Sequence, residues 1–344
     1  MRRLAVTAAA CGAVLAVALL VRPDGSTRAS PDEARAAASA FLARYVDRDG
    51  RVVRRDQGGD TVSEGQSYAM LLAAAIGDRA RFDRVWHWTR AHMERPDGLL
   101  SWRPGDRQPA ADADLDAARA LLVAARRFNR PGLAREGRRI GRSVRGEEST
   151  LIGGRRVLVA GPWARAQAIV NPSYVAPRTL ELLGLGDLAA SGMRIVVALQ
   201  GHRSGLAPDW ARATPDGAVP IGKPGRLGAQ AVFSYDAVRI PIRLAEACER
   251  SVRAEAAKPR ASLQATLAPV RDLGGTPLQP GEHAVYAVAA AAATAAAGDR
   301  DRAAGFLDRA EQLDHAHPTY YGAAWVALGR VMLTTRWLRG CPPM

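Results

Sequence analysis

Apolar residues in this chain recur mostly at spacings of three and four, the period of helices that bury one face. Ser30-Pro31-Asp32-Glu33 reads as a helix start, with a serine N-cap, proline at the first helical position and glutamate at the third. The apolar face behind it runs through Ala37, Phe41, Leu42 and Tyr45. Similar patterns, punctuated by Gly, Pro or Asp, cover about 64–77, 79–94, 112–128, 131–144, 175–184, 186–200, 234–249, 260–272, 284–297, 299–313 and 320–336. About twelve helices are therefore predicted, most of them joined by short loops. Strand signals are few. Residues 150–160 read as a hairpin turning at Gly153-Gly154, and 202–232 as an irregular Gly/Pro-rich excursion. No strand–helix–strand alternation appears and no Pro/Ser-rich linker divides residues 31–344, which predicts one all-α domain. Helices stacked in antiparallel pairs can form a bundle, a solenoid or a closed toroid. The lack of a fixed short repeat weighs against the solenoid.

The first thirty residues break this pattern. Met1-Arg2-Arg3 precedes an uncharged run from Leu4 to Val21, followed by Arg22-Pro23-Asp24-Gly25. A positive start before an apolar run is an export signal. As a helix the run would span about 27 Å, close to the thickness of a bilayer core. Residues 1–30 are thus expected to be a signal peptide or a signal anchor. Cleavage near Thr27-Arg28-Ala29 and a membrane tether through residues 4–21 both stay open. Either way the domain is expected outside the cytoplasm, secreted or held on the outer face of the cell membrane. Beyond the leader only Cys248 and Cys341 remain, and export permits a disulfide between them or two buried thiols.

Charge and motifs remove several function classes. The 344 residues carry 48 Lys+Arg against 34 Asp+Glu, a formal +14. Only Lys223 and Lys258 are lysines; the arginines are spread along the chain among acids, with no basic stripe and no interleaved aromatics. Nucleic acid is therefore not an expected partner. Neither His87/His92 nor His315/His317 sets two ligands on one helical face, and no CxxC occurs, so no metal and no cofactor is expected. Gly184-Leu185-Gly186-Asp187-Leu188-Ala189 fits a dinucleotide fingerprint in letters but follows a helix rather than a strand. No G-x-S-x-G nucleophile context is present.

What remains is carboxylate chemistry. Ser63-Glu64-Gly65-Gln66 has the form of a capping box. Ala111-Asp112-Ala113-Asp114-Leu115 opens the helix through Leu121, and Ser234-Tyr235-Asp236-Ala237-Val238-Arg239 opens another. Acids at helix starts commonly do no more than satisfy free N–H groups. These are accompanied by aromatics in the neighbouring loops. In a toroid, alternate helices run parallel, so their starts converge on one rim and the three carboxylates would meet there.

The segment Ser63-Glu64-Gly65-Gln66-Ser67-Tyr68-Ala69-Met70 resembles the family 8 glycoside hydrolases, whose acid sits in a Glu-Gly-Gln-x-Tyr-x-Met run. Asp83-Arg84-Val85-Trp86-His87-Trp88, Gly98-Leu99-Leu100-Ser101-Trp102, Asp112-Ala113-Asp114, Asn171-Pro172-Ser173-Tyr174, Pro208-Asp209-Trp210 and Tyr235-Asp236-Ala237-Val238-Arg239 follow in that family's order. The resemblance covers about residues 35–336 and is nearest in look to the endoglucanases that accompany bacterial cellulose synthesis. It implies an (α/α)6 toroid with one short hairpin and irregular loops, and an inverting endo-acting enzyme on a β-1,4-glucan. Chitosan, lichenan and xylan are substrates of the same family, and a non-catalytic glycan-binding protein is the rival reading.

By the same resemblance Glu64 matches the proton donor, Asp236 the base that activates water, and Asp112 the carboxylate that holds the sugar at the cleavage point. Ala111, Phe128, Ser67 and Ala69 depart from the family's usual residues. One tension stands out. A helix start favours the ionised form, so Glu64 needs burial or a neighbouring carboxylate such as Asp112 to stay protonated. Arg239 either holds Asp236 ionised or makes an ordinary intrahelical pair, and Tyr235 either orients the water or belongs to the core. Glycan clefts need aromatic platforms. Trp102, Trp163, Tyr174, Tyr235, Arg239 and Tyr320 are expected to bind substrate, with Trp210 and Tyr321 also in loops and Trp86 and Trp88 nearer the core. The protein is expected to act as a monomer on a polysaccharide.

Overall fold

The computed structural model describes residues 30–341. The export segment, including Thr27-Arg28-Ala29, lies outside the described residues. Among the described residues thirteen helices follow one another. They are α1 (Pro31–Tyr45), α2 (Ser63–Ile76), α3 (Arg79–Met93), α4 (Ala111–Arg127), α5 (Pro131–Glu147), α6 (Pro177–Leu182), α7 (Gly186–Leu199), α8 (Arg239–Ala245), α9 (Arg250–Glu255), α10 (Arg260–Ala265), α11 (Ala284–Ala296), α12 (Arg300–Ala316) and α13 (Tyr320–Thr334). None is long and apolar enough to cross a membrane.

Burial sorts these helices into two rings. Helices α2, α4, α8, α11 and α13 are buried along almost their whole surface, as is the first half of α6. Their all-round small and apolar sequences, such as Ala287-Val288-Ala289-Ala290-Ala291-Ala292-Ala293, allow close packing on every side. Helices α1, α3, α5, α7 and α12 bury only one stripe, and α9 with α10 take the remaining outer place. Each outer helix is followed by an inner one, which makes six pairs and an (α/α)6 toroid.

The start of α1 forms as its sequence predicts. Ser30 Oγ accepts from Glu33 N–H while Glu33 reaches back to Ser30 N–H. The start of α2 does not: Val62 is the N-cap, with no side-chain cap. Ser63 lies inside the helix because its N–H already donates to the Trp102 carbonyl. Gln66 turns inward, accepting from Val52 N–H at 2.6 Å and donating to Thr89 Oγ1 at 2.8 Å. The helix expected over 234–249 begins only at Arg239. Pro241 is the reason: in the first turn its missing N–H costs nothing, whereas a start at 235 would place it in the interior. Likewise α10 stops at Ala265 rather than continuing to 272, since Pro269 cannot be carried within a helix.

Two small sheets complete the fold. Strands β1 (Ser149–Ile152) and β2 (Arg155–Leu158) form the expected hairpin, with Gly153 and Gly154 both at positive φ in the turn. Strand β3 (Ile169–Val170) pairs with β4 (Trp210–Thr214), which pairs with β5 (Gly217–Ile221), all antiparallel. The stretch 202–232 is therefore partly a hairpin. Cys248 and Cys341 form a disulfide, tying the segment after α8 to the end of the chain.

Candidate active site

Helices α4 and α8 flank the short α6, and a ladder of ion pairs joins them. Asp112, Asp116 and Arg119 sit at steps of four and three on α4; Arg239, Arg243 and Glu246 repeat those steps on and just beyond α8. Residues so spaced share a helix face, and the two helices run parallel, so the rungs meet in order. Arg239 Nη1 donates to Asp112 Oδ2 at 2.8 Å, Arg243 Nη1 to Asp116 Oδ1 at 2.8 Å, and Arg119 holds both Glu246 oxygens at 2.7 and 2.9 Å. All six side chains are buried. The ladder fixes the relative height of α4 and α8, and its uppermost rung lies in the site.

That rung gathers the three carboxylates. Arg239 is 1% exposed. Its Nη1 also reaches Glu64 Oε2 at 3.4 Å and the Tyr68 hydroxyl at 3.4 Å, and its Nη2 donates to Asp236 Oδ1 at 2.7 Å. Glu64 and Asp112 lie in the first turns of α2 and α4. Asp236 lies in the turn that leads into α8, not in the helix. Ser67 joins the two helix starts, its single hydroxyl proton shared between the carbonyls of Ser63 at 2.9 Å and Ala113 at 2.8 Å. One departure from the family's usual residues thus has a structural task.

Burial pushes the Glu64 carboxyl up to about 7, although a quarter of its side chain still faces the cleft. Arg239 opposes this rise, and the charges of Asp112 and Asp236 add to it. Burial and neighbouring carboxylates, the two influences a protonated acid at a helix start requires, are thus both present, and together they outweigh the pull of Arg239. Burial raises Asp112 too, against the charge and hydrogen bond of Arg239.

The aromatics fall into two groups. Trp163 is 42% exposed, with its ring 6.2 Å from Trp210, which lies 6.5 Å from Tyr174, whose ring carries the Arg239 guanidinium at 5.4 Å. A row of rings thus runs from the surface to the carboxylates. Trp102 is 40% exposed and lies under the Arg103 guanidinium at 4.0 Å. Tyr235 is exposed, and its carbonyl accepts from the Tyr321 hydroxyl at 2.6 Å.

Tyr320 departs from expectation as a platform. Its ring is 1% exposed, packed against Phe41 and Tyr45. Only its hydroxyl approaches the start of α2, so closely that a Cβ at Gly65 would lie 2.6 Å from it. The neighbouring Tyr321 is the α13 tyrosine that contacts the Asp236 turn. The structure adds Tyr68, Asp209 and the ladder residues Asp116, Arg119, Arg243 and Glu246 to those expected from sequence. The complementary Asp-x3-Asp-x2-Arg and Arg-x3-Arg-x2-Glu spacings were a legible signal for the ladder. Among the described residues no cluster of three or more His, Cys, Asp or Glu side chains is arranged to hold a metal.

A closed double ring of helices with carboxylates and exposed aromatics at one rim defines a glycoside hydrolase. The chain belongs to the glycosyl hydrolases family 8, whose family model matches residues 9–333. It is 34% identical over 235 residues to a probable endoglucanase of Novacetimonas hansenii, covering 62% of this chain and 67% of that protein. It is 34% identical over 229 residues to an endoglucanase of Xanthomonas axonopodis pv. citri, covering 59% of this chain and 57% of that protein, so it matches less than two thirds of that relative's length. Among solved structures, the endo-β-1,4-glucanase CMCax from Acetobacter xylinum aligns with a TM-score of 0.73 at 28% identity, over 88% of this chain and 98% of that one. A family 8 endoglucanase from Klebsiella pneumoniae aligns with a TM-score of 0.70 at 26% identity, over 86% and 97%.

Proposed function

We propose that this protein is an endo-acting β-1,4-glucanase that inverts the anomeric centre, with Glu64 as proton donor and Asp236 as base. The observation that carries the reading is the convergence of Glu64, Asp112 and Asp236 on one buried guanidinium, with the Glu64 carboxyl pushed up to about 7. Their contacts with two nitrogens of Arg239 put the nearest oxygens of Glu64 and Asp236 no more than about 8 Å apart. That is compatible with the roughly 6.5–9.5 Å an inverting pair needs to admit a water. Glu64 protonates the departing glycosidic oxygen. Asp236, held by Arg239, takes a proton from the water that attacks the anomeric carbon from the opposite face. Asp112 faces the sugar between them and offsets the positive charge that develops on its ring.

The row Trp163–Trp210–Tyr174 gives the apolar faces of successive glucosyl units a path to the carboxylates. The β-1,4-glucan assignment rests on the relatives named as endoglucanases and on the endo-β-1,4-glucanase structure. The three carboxylates are supplied within one chain, so a monomer suffices for the proposed chemistry. The disulfide supports an oxidising compartment outside the cytoplasm, consistent with an exported domain that is cleaved or tethered through residues 4–21.

Reducing-end release from carboxymethyl-cellulose, lichenan, chitosan and xylan tests the substrate, beside Glu64→Gln and Asp236→Asn. Carboxymethyl-cellulose should be the best substrate, and each variant should lose about a thousandfold or more in kcat. NMR of the first product should show the α-anomer. Wild-type rates in either variant would remove the mechanism, and glycan binding without turnover in the wild type would favour the non-catalytic rival.

A further inference from the structure

Asp236 sits in a non-helical turn between two anchored segments. Downstream, α8 is locked by its ladder to α4. Upstream, Phe233 exchanges two backbone hydrogen bonds with Arg271, at 3.0 and 3.1 Å. Between these anchors lie Ser234 to Val238, a turn outside regular helix. A single carboxylate closes it from beneath. Asp209 Oδ1 accepts from the N–H groups of Ser234 and Ala237, each at 2.8 Å, and its Oδ2 accepts from the Ser234 hydroxyl. The Asp209 N–H donates to the Val232 carbonyl at 2.8 Å, which fixes the clamp to the same strand of chain.

We propose that Asp209 is a positioning residue for the reaction, setting the place of the Asp236 carboxylate by gripping the backbone on both sides of it. The inference rests on Asp236 being the base. Asp209 is 7% exposed, and both of its carboxylate oxygens are engaged by the turn itself. A buried carboxylate is costly unless its lone pairs are used, and here one residue satisfies two N–H groups and a hydroxyl that a free turn would leave wandering. Burial, and then the charge of Asp236, push its carboxyl up to about 6, as expected for two acids held close. The Tyr321 hydroxyl also donates to the Tyr235 carbonyl, so the turn is gripped at Ser234, Tyr235 and Ala237. Losing the clamp frees Asp236 to drift by about an ångström, and displacement on that scale costs about a hundredfold in rate.

Steady-state kinetics on a soluble cello-oligosaccharide, with thermal melts, test this in Asp209→Ala, Asp209→Asn and Asp236→Asn. Asparagine keeps an oxygen for both N–H groups and offers its amide to the Ser234 hydroxyl. Asp209→Ala should lower kcat about a hundredfold with KM within about threefold, and Asp209→Asn should restore kcat to within about tenfold of wild type. Full kcat in a folded Asp209→Ala, or equal losses in the two variants, would overturn the proposal. A melt that shows Asp209→Ala unfolded moves the reading to Ser234→Ala, which removes only the hydroxyl contact. That variant should lower kcat severalfold at constant KM, and no loss there overturns the proposal. Failure of the base assignment would show separately, as retained activity in Asp236→Asn.

Discussion

Replacing Asp112 with asparagine tests whether like charge, as well as burial, keeps Glu64 protonated. Glu64 Oε2 and Asp112 Oδ2 contact the same nitrogen of Arg239, at 3.4 and 2.8 Å, so they can be no more than about 6 Å apart. Two unit charges at that distance, in an effective dielectric of about 20, repel by about 3 kcal/mol, or about two pKa units. The cleft side of Glu64 is open to water, which screens part of this, so about one unit is expected from the substitution. Releasing Arg239 from Asp112 acts in the same direction, because the guanidinium then pulls harder on Glu64. The kcat/KM profile of the wild type should fall above about pH 7, where Glu64 loses its proton. In Asp112→Asn that alkaline limb should move about one unit toward acid, whatever the loss of amplitude. The measurement is kcat/KM on a soluble cello-oligosaccharide from pH 4 to 9 at constant ionic strength. An alkaline limb that stays in place, or moves up, would refute the coupling and leave burial alone to account for Glu64.

Two further outcomes follow from groups beside the site. Glu148 is buried with neither oxygen hydrogen-bonded, and burial plus the nearby Asp114 hold its carboxyl well above the usual range. A raised folded pKa means stability is full at low pH and falls as pH rises out of the ordinary carboxylate range. Glu148→Gln should therefore stabilise by about 1–2 kcal/mol at pH 8 and by much less at pH 4.5 in chemical denaturation, and equal effects at both would contradict this. The Cys248–Cys341 disulfide spans 93 residues, and loop entropy assigns it about 4–5 kcal/mol. Reduction, or Cys248→Ser with Cys341→Ser, should lower Tm by roughly 5–10 °C with little change in kcat, since the bridge lies at the end of the toroid away from the cleft.

The sequence carried the helical pairing and the site's acids well, and failed where two signals competed. The period of three and four marked nearly every long helix because inner and outer helices alike repeat apolar residues at that spacing. Boundaries failed at Pro241 and Pro269, where apolar periodicity runs on across residues that cannot stand inside a helix. The β4–β5 hairpin hid in a stretch with few β-branched residues, although Pro215-Asp216-Gly217 is a turn signature. Among the aromatics, Trp102 and Trp163 emerged exposed, whereas the Tyr320 ring went into the core. Adjacent tyrosines at a helix start point about 100° apart, so one faces the cleft side and its neighbour cannot. Asp209 could not be given a task from sequence, because its partners lie 25 to 28 positions away and are mostly backbone N–H groups.

The formal +14 of the chain describes the wrong part of the molecule for its chemistry. Glu64, Asp112, Asp114, Asp209 and Glu148 are all held above their ordinary carboxylate range, and all lie around the inner helix starts. An excess of arginine over the whole surface would, if it acted there, push in the other direction. It does not prevail, because charges beyond a Debye length of about 8 Å are screened whereas burial and the next carboxylate act at contact. Arg239, which does act at contact, is held within the cluster by the α4–α8 ladder, and its pull is divided among three acids. The protonation state of the site is thus set by a handful of buried neighbours. Charge substitutions on the exposed face of α5, such as Arg138→Glu and Arg142→Glu, should leave the kcat/KM profile of a neutral substrate where it is.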